Sequence, residues 1–165
     1  MPTPSERLEA MGLELPEPAV PAFNYDPVVV HGDLAYVSGQ LPKEDGEVWI
    51  TGRVGEEVDV EAAQHAARVC ILQGLAVVAA AVGGLAHVTR IVRVTGFVAS
   101  GPGFHRQPHV LDAASTLLVE VFGDAGRHAR SAVGVAELPR NAPVEIELIV
   151  AHDRAPARPR GGPES

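Results

Sequence analysis

The helical period of residues 58–82 constrains the fold more than any other feature of this chain. Apolar residues recur there at steps of three and four, which predicts a long helix with one apolar face. Asp59 stands where an N-cap residue is expected, and Gly83 and Gly84 follow the last apolar position as a stop signal. Such a helix needs a second layer of structure to cover its apolar face.

The remaining patterns supply strands for that second layer. Gly32 and Asp33 separate two short β-rich runs, 27–31 and 34–38, which predicts a hairpin. The other predicted elements are strands at 48–50, 88–99, 131–138 and 144–151 and a second helix at 108–122.

The order β-β-β-α-β-α-β-β predicts an α+β fold, with a single mixed β-sheet and two helices packed on one face. The strand predicted at 88–99 carries apolar residues on both parities, for example Val92 and Phe97 on one and Ile91 and Val98 on the other. Two helices cover only one face of a sheet. We therefore expect the other face to be buried in an oligomer.

The 165 residues correspond to one domain, and a content of 46% apolar and 21% charged residues is typical of a globular protein. Residues 1–18 contain several prolines and predict an extended arm, with one turn of helix around 5–11. Residues 19–153 form the predicted domain. The tail 154–165 is rich in Pro, Gly and Arg, which predicts disorder.

The charge argues against nucleic acid as a partner. The net charge is −8, and residues 1–61 alone hold thirteen acidic and three basic residues. A surface of that sign repels polyanions.

No metal, cofactor or membrane is predicted as a partner. The single cysteine, Cys70, excludes a disulfide within the chain and any multi-cysteine metal site. His105 and His109 have helical metal spacing, but Pro108 interrupts it. The longest apolar run, 75–82, is too short for a membrane span, and charged residues precede any apolar stretch at the N-terminus. We expect a cytoplasmic protein.

Two stretches of sequence resemble the Rid family, also called the YjgF family. The first is Asn-Tyr at 24–25 followed by Tyr-Val-Ser-Gly-Gln-Leu-Pro at 36–42. The second is Arg-Ser-Ala-Val-Gly-Val-Ala-Glu-Leu-Pro at 130–139, continuing into Val-Glu-Ile-Glu at 144–147. The resemblance covers about residues 20–152 and includes proteins named endoribonuclease L-PSP. It implies a YjgF-like, chorismate-mutase-like domain in a homotrimer, whose sheets form a central barrel with clefts between subunits.

The resemblance also implies a function. Members of the family hydrolyse reactive enamine and imine acids such as 2-aminoacrylate to keto acids and ammonia, without a cofactor. The implied partner is a small metabolite that carries a carboxylate. Two alternatives stay open: a trimer that binds a small carboxylate or regulates without turnover, and, less favoured, an endoribonuclease or translation inhibitor.

Arg130 matches the family arginine that holds the substrate carboxylate. A guanidinium forms two parallel bonds to a carboxylate and stays charged at any working pH. In a strand, Arg130 shares a face with Ala132 and Gly134, which would leave room for a ligand. The alternative is a structural ion pair with a protein carboxylate.

Glu145 matches the family glutamate that orients the attacking water. It alternates with Val144 and Ile146 and would point away from their face. A carboxylate in this role contributes about 10²–10⁴-fold to the rate. The alternative is a solvated strand residue, and Glu147 shares the same parity.

The remaining site predictions rest on the resemblance. Two positions depart from it: Ala132 replaces a cysteine of the characterised deaminases, and Ser115 stands where they place a substrate-contacting asparagine. His128 lies close to Arg130, but a surface histidine is the favoured interpretation. The predicted substrate-binding residues are Tyr25, Ser38, Gly39, Ser115, Ser131 and Ala132.

Overall fold

A computed structural model describes residues 1–18, 20 and 24–154 of the chain. Within these residues the helices are α1 (Pro4–Ala10), α2 (Val60–Val82) and α3 (Gln107–Phe122). The strands are β1 (Val28–His31), β2 (Leu34–Gln40), β3 (Lys43–Glu44), β4 (Glu47–Val48), β5 (Val88–Ala99), β6 (Ala129–Val135) and β7 (Val144–His152).

Five of these strands form one mixed sheet in the order β1-β2-β7-β5-β6. β5 and β6 run parallel, and every other neighbouring pair in the sheet is antiparallel. α2 and α3 pack against each other, and their buried side chains join those of the sheet in one core. The predicted α+β fold, with a mixed sheet and helices on one face, is confirmed.

The strand predicted at 48–50 is wrong in extent and in place. Residues 43–44 and 47–48 form a small separate hairpin, and Trp49 and Ile50 lie outside it. Asp45 and Gly46 adopt positive φ values of 51° and 82°, which closes a tight turn between the two strands. The short runs on either side pair with each other and leave the large sheet with five strands.

The two faces of the sheet differ in chemistry. The face toward the helices is apolar and buried in its central strands, as Val94, Val98 and Leu148 show. Among the described strands, only the edge strand β6 places a charged residue, Arg130, on this side. The opposite face, called the open face here, carries partly or fully exposed side chains that include Val29, Tyr36 and Val133. These three are 51%, 43% and 43% exposed, a large apolar content for a surface facing water.

α2 is the central helix of the core. The Asp59 carboxylate accepts a hydrogen bond from the Ala62 N–H at 2.8 Å, and the helix ends at Gly83, so both predicted end signals are present. Among the described helices it alone has the length and apolar content to cross a membrane. Of its most apolar window, 61% is buried inside the fold, which is typical of a core helix.

The N-terminal arm is packed and partly helical. α1 begins with a capping box in which Thr3 and Glu6 exchange side-chain and backbone hydrogen bonds. Leu8 is buried, and Arg7 donates to the Glu120 carbonyl of α3 at 3.3 Å. The predicted turn of helix is therefore present, and α1 joins the arm to the domain. Apart from residue 154, the tail predicted as disordered lies outside the described residues.

Candidate functional site

The candidate site residues divide between the two faces of the sheet. Arg130 in β6 lies opposite Val94 in β5, whose side chain is buried under the helices. Glu145 in β7 lies opposite Phe97 in β5. Phe97 is three residues from Val94, so its side chain points to the opposite face of the sheet. Within one chain Arg130 thus belongs to the helix side and Glu145 to the open face.

The Arg130 guanidinium is held by the first turns of α3. Its Nη1 donates to Asp112 Oδ1 and to Ser115 Oγ, both at 3.0 Å, and its Nη2 donates to the Pro108 carbonyl at 3.3 Å. The Arg130 side chain is 22% exposed, whereas the Asp112 side chain is 58% exposed. In this ion pair the Arg130 guanidinium is largely buried, and the Asp112 carboxylate is exposed to solvent.

The expectation of free space beside Arg130 is wrong for a single chain. The guanidinium pairs with a carboxylate of its own chain, which is the structural ion pair that sequence reasoning left as the alternative. The side chain reaches across to α3, whose register over the sheet could not be read from strand alternation. Three hollows on the surface have volumes of about 700, 410 and 320 Å³, and neither Arg130 nor Glu145 lines any of them.

Ser115 and Ala132 lie on the same side as Arg130. Ala132 pairs with Gly96 in β5 and packs against the edge of the core. Ser115 in α3 contacts Arg130 directly. Both residues thus lie on the Arg130 side of the sheet, and their predicted contacts with a substrate stay predictions.

For His128 the sequence favoured a surface histidine over a residue that lines the cleft, and the structure places it in this cluster. It is half-buried; its Nε2 lies 3.0 Å from Ser115 Oγ and its Nδ1 2.6 Å from the Gly126 carbonyl oxygen. Burial lowers its pKa from 6.5, the Arg130 charge lowers it further, and the bond to Gly126 acts in the opposite direction. The sequence signal for His128 is its position two residues before Arg130, because residues two apart in an extended segment point to the same side.

Glu145, Ser38 and Gly39 form the second group, on the open face. The register between β2 and β7 shifts between Val37 and Gln40, so Ser38 and Gly39 form a bulge. Glu145 lies against Gly39, and a Cβ built at residue 39 would stand 2.7 Å from Glu145 Cδ. Because Gly39 has no side chain, the Glu145 carboxylate can occupy the space beside its Cα.

Glu145 is a carboxylate poised to take up a proton. Partial burial raises its pKa from 4.5, and the neighbouring charge of Glu147 raises it further. A raised pKa brings a carboxylate nearer to the value that suits a general base at neutral pH. Its surroundings therefore fit the predicted role in orienting and deprotonating water.

The remaining predicted residues lie at the margin of the open face. The Ser38 hydroxyl donates to the Pro27 carbonyl at 3.0 Å, and Tyr25 is 52% exposed in the segment before β1. Ser131 faces away from Arg130 and accepts a hydrogen bond from Arg93 Nη2 at 2.9 Å. Its side chain belongs with the open face, because successive strand residues point to opposite sides.

Comparison with known proteins places the fold. The model of the YjgF/chorismate mutase-like, putative endoribonuclease family matches residues 5–151. The crystal structure of Atu1372 from Agrobacterium tumefaciens is 47% identical, with 92% of each chain covered and a TM-score of 0.85. A putative endoribonuclease from Shewanella oneidensis is 35% identical, with 91% of this chain and 99% of that chain covered and a TM-score of 0.88.

A more distant structure carries a ligand. Escherichia coli TdcF, crystallised with bound serine, is 26% identical over 84% of this chain and 94% of its own, with a TM-score of 0.60. The resemblance predicted from the motifs at 36–42 and 130–147 is confirmed by these matches.

Proposed function

The chain belongs to the YjgF/chorismate mutase-like family, and we propose that it hydrolyses reactive enamine or imine acids to keto acids and ammonia. The proposed site lies in a cleft between two copies of the chain in a homotrimer. The substrate is a small metabolite with a carboxylate beside the C=N or C=C–N group.

The observation that carries this proposal is the division of Arg130 and Glu145 between opposite faces of one sheet. One chain cannot bring a carboxylate anchor and a water-activating carboxylate together. Two copies can, if the helix-side edge of β6 in one copy meets the open face of the other. The exposed Val29, Tyr36 and Val133 support such an interface, because an apolar surface of this kind favours burial.

Arg130 keeps donors for a substrate carboxylate. A guanidinium has five N–H groups, and three of them serve the bonds to Asp112, Ser115 and Pro108. The Nε–H and one Nη2 hydrogen take no part in these three bonds. They remain as donors for a substrate carboxylate.

Glu145 supplies the base. As a water oxygen attacks the imine carbon, a water proton passes to the Glu145 carboxylate. The nitrogen takes that proton, which gives the neutral carbinolamine. The C–N bond then breaks as the C=O bond forms, and the hydroxyl proton passes through Glu145 to the departing nitrogen. The products are a keto acid and ammonia, and the carboxylate returns to its ionised form.

The serine bound to TdcF supports the substrate class. Serine carries a carboxylate and a nitrogen on the same carbon, and the first enamine formed by removing water from it keeps both groups. A relative that binds a ligand with these two groups supports a site for a carboxylate and a neighbouring nitrogen in this chain.

The test follows 2-aminoacrylate produced in place by a serine dehydratase. Pyruvate release should be faster with the full chain than with buffer, and Arg130→Ala and Glu145→Gln should lose the acceleration. Release no faster than in buffer for the wild-type protein would overturn the proposal. The exposed Glu61→Gln variant serves as a control that keeps the rate.

Carboxylate binding without turnover is the second candidate. Ser115 favours it, because this residue stands where the characterised deaminases place a substrate-contacting asparagine, and its hydroxyl already contacts Arg130 and His128. Calorimetric binding of pyruvate that is lost in Arg130→Ala, together with no turnover of 2-aminoacrylate, would select this candidate.

A further inference from the structure

A line of hydrogen bonds runs from Arg130 through Ser115 and His128 to the Gly126 carbonyl. The three donor–acceptor distances are 3.0, 3.0 and 2.6 Å. None of these bonds belongs to regular secondary structure, and together they tie the guanidinium to the turn that joins α3 to β6. Each group lies within hydrogen-bond reach of the next.

The direction of each proton follows from the chemistry of the groups. The Gly126 carbonyl only accepts, so His128 Nδ1 carries a hydrogen and donates it. Arg130 only donates, so Ser115 Oγ accepts from Nη1 and has its own hydrogen left to give. A neutral His128 accepts that hydrogen at Nε2, and every group in the line is then satisfied.

The turn that supplies the carbonyl is fixed by a close approach of backbone to helix. Gly126 is buried, and a Cβ at this position would overlap the Leu118 carbonyl and stand 2.9 Å from Val119 Cα in α3. Glycine is therefore required for the turn to rest on α3. The acceptor for His128 is held by the main chain rather than by a movable side chain.

Charged groups surround His128 on several elements. Arg130 follows it in β6, Asp112 and His109 lie on α3 with their side chains 3.7 Å apart, and Arg127 and Arg90 share with it the hollow of about 320 Å³. Three of these groups are arginines, and Asp112 is already paired with Arg130. Protonation of His128 would add a positive charge beside groups that are mostly positive already.

We propose that Ser115 and His128 are positioning residues for Arg130, and that protonation of His128 loosens the hold of Ser115 on the guanidinium. With hydrogens on both ring nitrogens, His128 becomes a second donor toward Ser115 Oγ. The Ser115 hydroxyl hydrogen then loses its acceptor, and the positive charges of His128 and Arg130 converge on one oxygen. The burial that lowers the pKa of His128 keeps the ring neutral near pH 7, so the hold is complete there and weakens on acidification.

The consequence for ligands rests on the proposed function. If Arg130 binds a substrate carboxylate, its orientation depends on Ser115, and KM should rise at acid pH in the wild-type protein and stay constant in His128→Gln. The fall of kcat that protonation of Glu145 causes should be the same in both proteins. Losing one hydrogen bond to a charged group corresponds to about a tenfold effect.

The first experiment needs no substrate. In the full-length protein, nitrogen NMR of the His128 ring should show the hydrogen on Nδ1, and the Arg130 guanidinium signal should shift with the same midpoint as His128 between pH 5 and 8. The Arg130 shift should disappear in His128→Gln and Ser115→Ala and persist in Ser115→Thr, which keeps the hydroxyl. An Arg130 signal that ignores the titration of His128 would overturn the proposal, as would a hydrogen on Nε2.

A second measurement separates this proposal from the proposed function. The Kd of pyruvate should rise about tenfold as the pH falls from about 7.5 through the midpoint that NMR gives for His128 in the wild-type protein, and should stay flat in His128→Gln. Coupled NMR titrations in a protein that neither binds pyruvate nor turns over 2-aminoacrylate would support the positioning role and refute the proposed function. Turnover of 2-aminoacrylate, together with an Arg130 signal that does not follow the titration of His128, would support the proposed function and refute the positioning role.

Discussion

Glu145 fills the space that a side chain at Gly39 would take. Its carboxylate carbon lies 2.7 Å from where a Cβ at residue 39 would stand. Gly39→Ala should therefore push Glu145 out of place, lower turnover to the level of Glu145→Gln, and destabilise the fold by about 1–3 kcal/mol through overpacking. Chemical denaturation and the pyruvate assay measure the two effects.

A double variant tests whether the clash is the cause. Gly39→Ala combined with Glu145→Ala should recover most of the lost stability, because the second change removes the atoms that the new methyl group would meet. Additive losses in the double variant would show that residue 39 acts through its backbone instead.

The stability of the protein should respond to Glu145 in a pH-dependent way. Its pKa is raised in the folded chain, so the folded state binds this proton more tightly than the unfolded state does. The loss of folding stability that ionised Glu145 causes is therefore absent below about pH 4.5 and complete above the raised pKa. Glu145→Gln should therefore raise Tm at pH 7.5, and the gain should vanish as the pH falls toward 4.5.

Glu147→Gln is the matched comparison for that experiment. Glu147 is exposed and contributes the smaller, charge-based part of the shift, so its removal should raise Tm in the same direction by less. A wild-type protein that becomes more stable than Glu145→Gln as the pH rises would contradict the assignment.

Arg130 should matter more for ligand binding than for folding. Its partner Asp112 is 58% exposed, and ion pairs of this kind contribute about 0–1 kcal/mol. Arg130→Lys keeps the charge but loses the planar pair of donors, so pyruvate should bind at least about tenfold more weakly while Tm changes little. Calorimetry and thermal unfolding give the two values.

Arg127→Lys provides the control for that prediction. Arg127 is 71% exposed, pairs with Asp124 at 3.5 Å, and should tolerate the change in both measurements. Equal pyruvate affinities for Arg130→Lys and the wild-type protein would remove Arg130 from the binding site.

The open face should be covered by other copies of the chain. Light scattering of the wild-type protein should give about three times the chain mass of 17.3 kDa. Val133→Glu places an unpaired charge on the open face and should reduce the mass toward one chain. Thr116→Glu adds the same charge on the exposed side of α3 and should leave the trimer intact. A wild-type mass of one chain would contradict the trimer.

Local patterns predicted the elements whose ends carry strong signals. Asp59 and Gly83 bound the long helix, and the turn at Gly32 and Asp33 forms the first hairpin, because caps and turns depend on neighbouring residues only. The strand at 48–50 failed because its partner was a matter of competition. Residues 43–44 pair with 47–48 across the tight turn at 45–46, and the pattern at 48–50 alone does not show that partner.

The face of a strand on which a candidate residue lies could be predicted from the sequence, and the contacts between elements could not. Alternation along β7 correctly set Glu145 apart from Val144 and Ile146. It could not show that Arg130 reaches Asp112 and Ser115, because that contact depends on where α3 lies over the sheet. His128 was expected at the surface for the same reason, since its partner Ser115 lies thirteen residues away on another element.

Mixing two inactive variants tests the two-copy site most directly. Arg130→Ala and Glu145→Gln chains, co-expressed in equal amounts, should form mixed trimers in which about a quarter of the clefts combine an intact Arg130 with an intact Glu145 of the neighbour. Turnover of 2-aminoacrylate should then recover to about a quarter of the wild-type rate. No recovery from verified mixed trimers of a protein whose wild-type form is active would mean that both residues act from one chain, which contradicts the account.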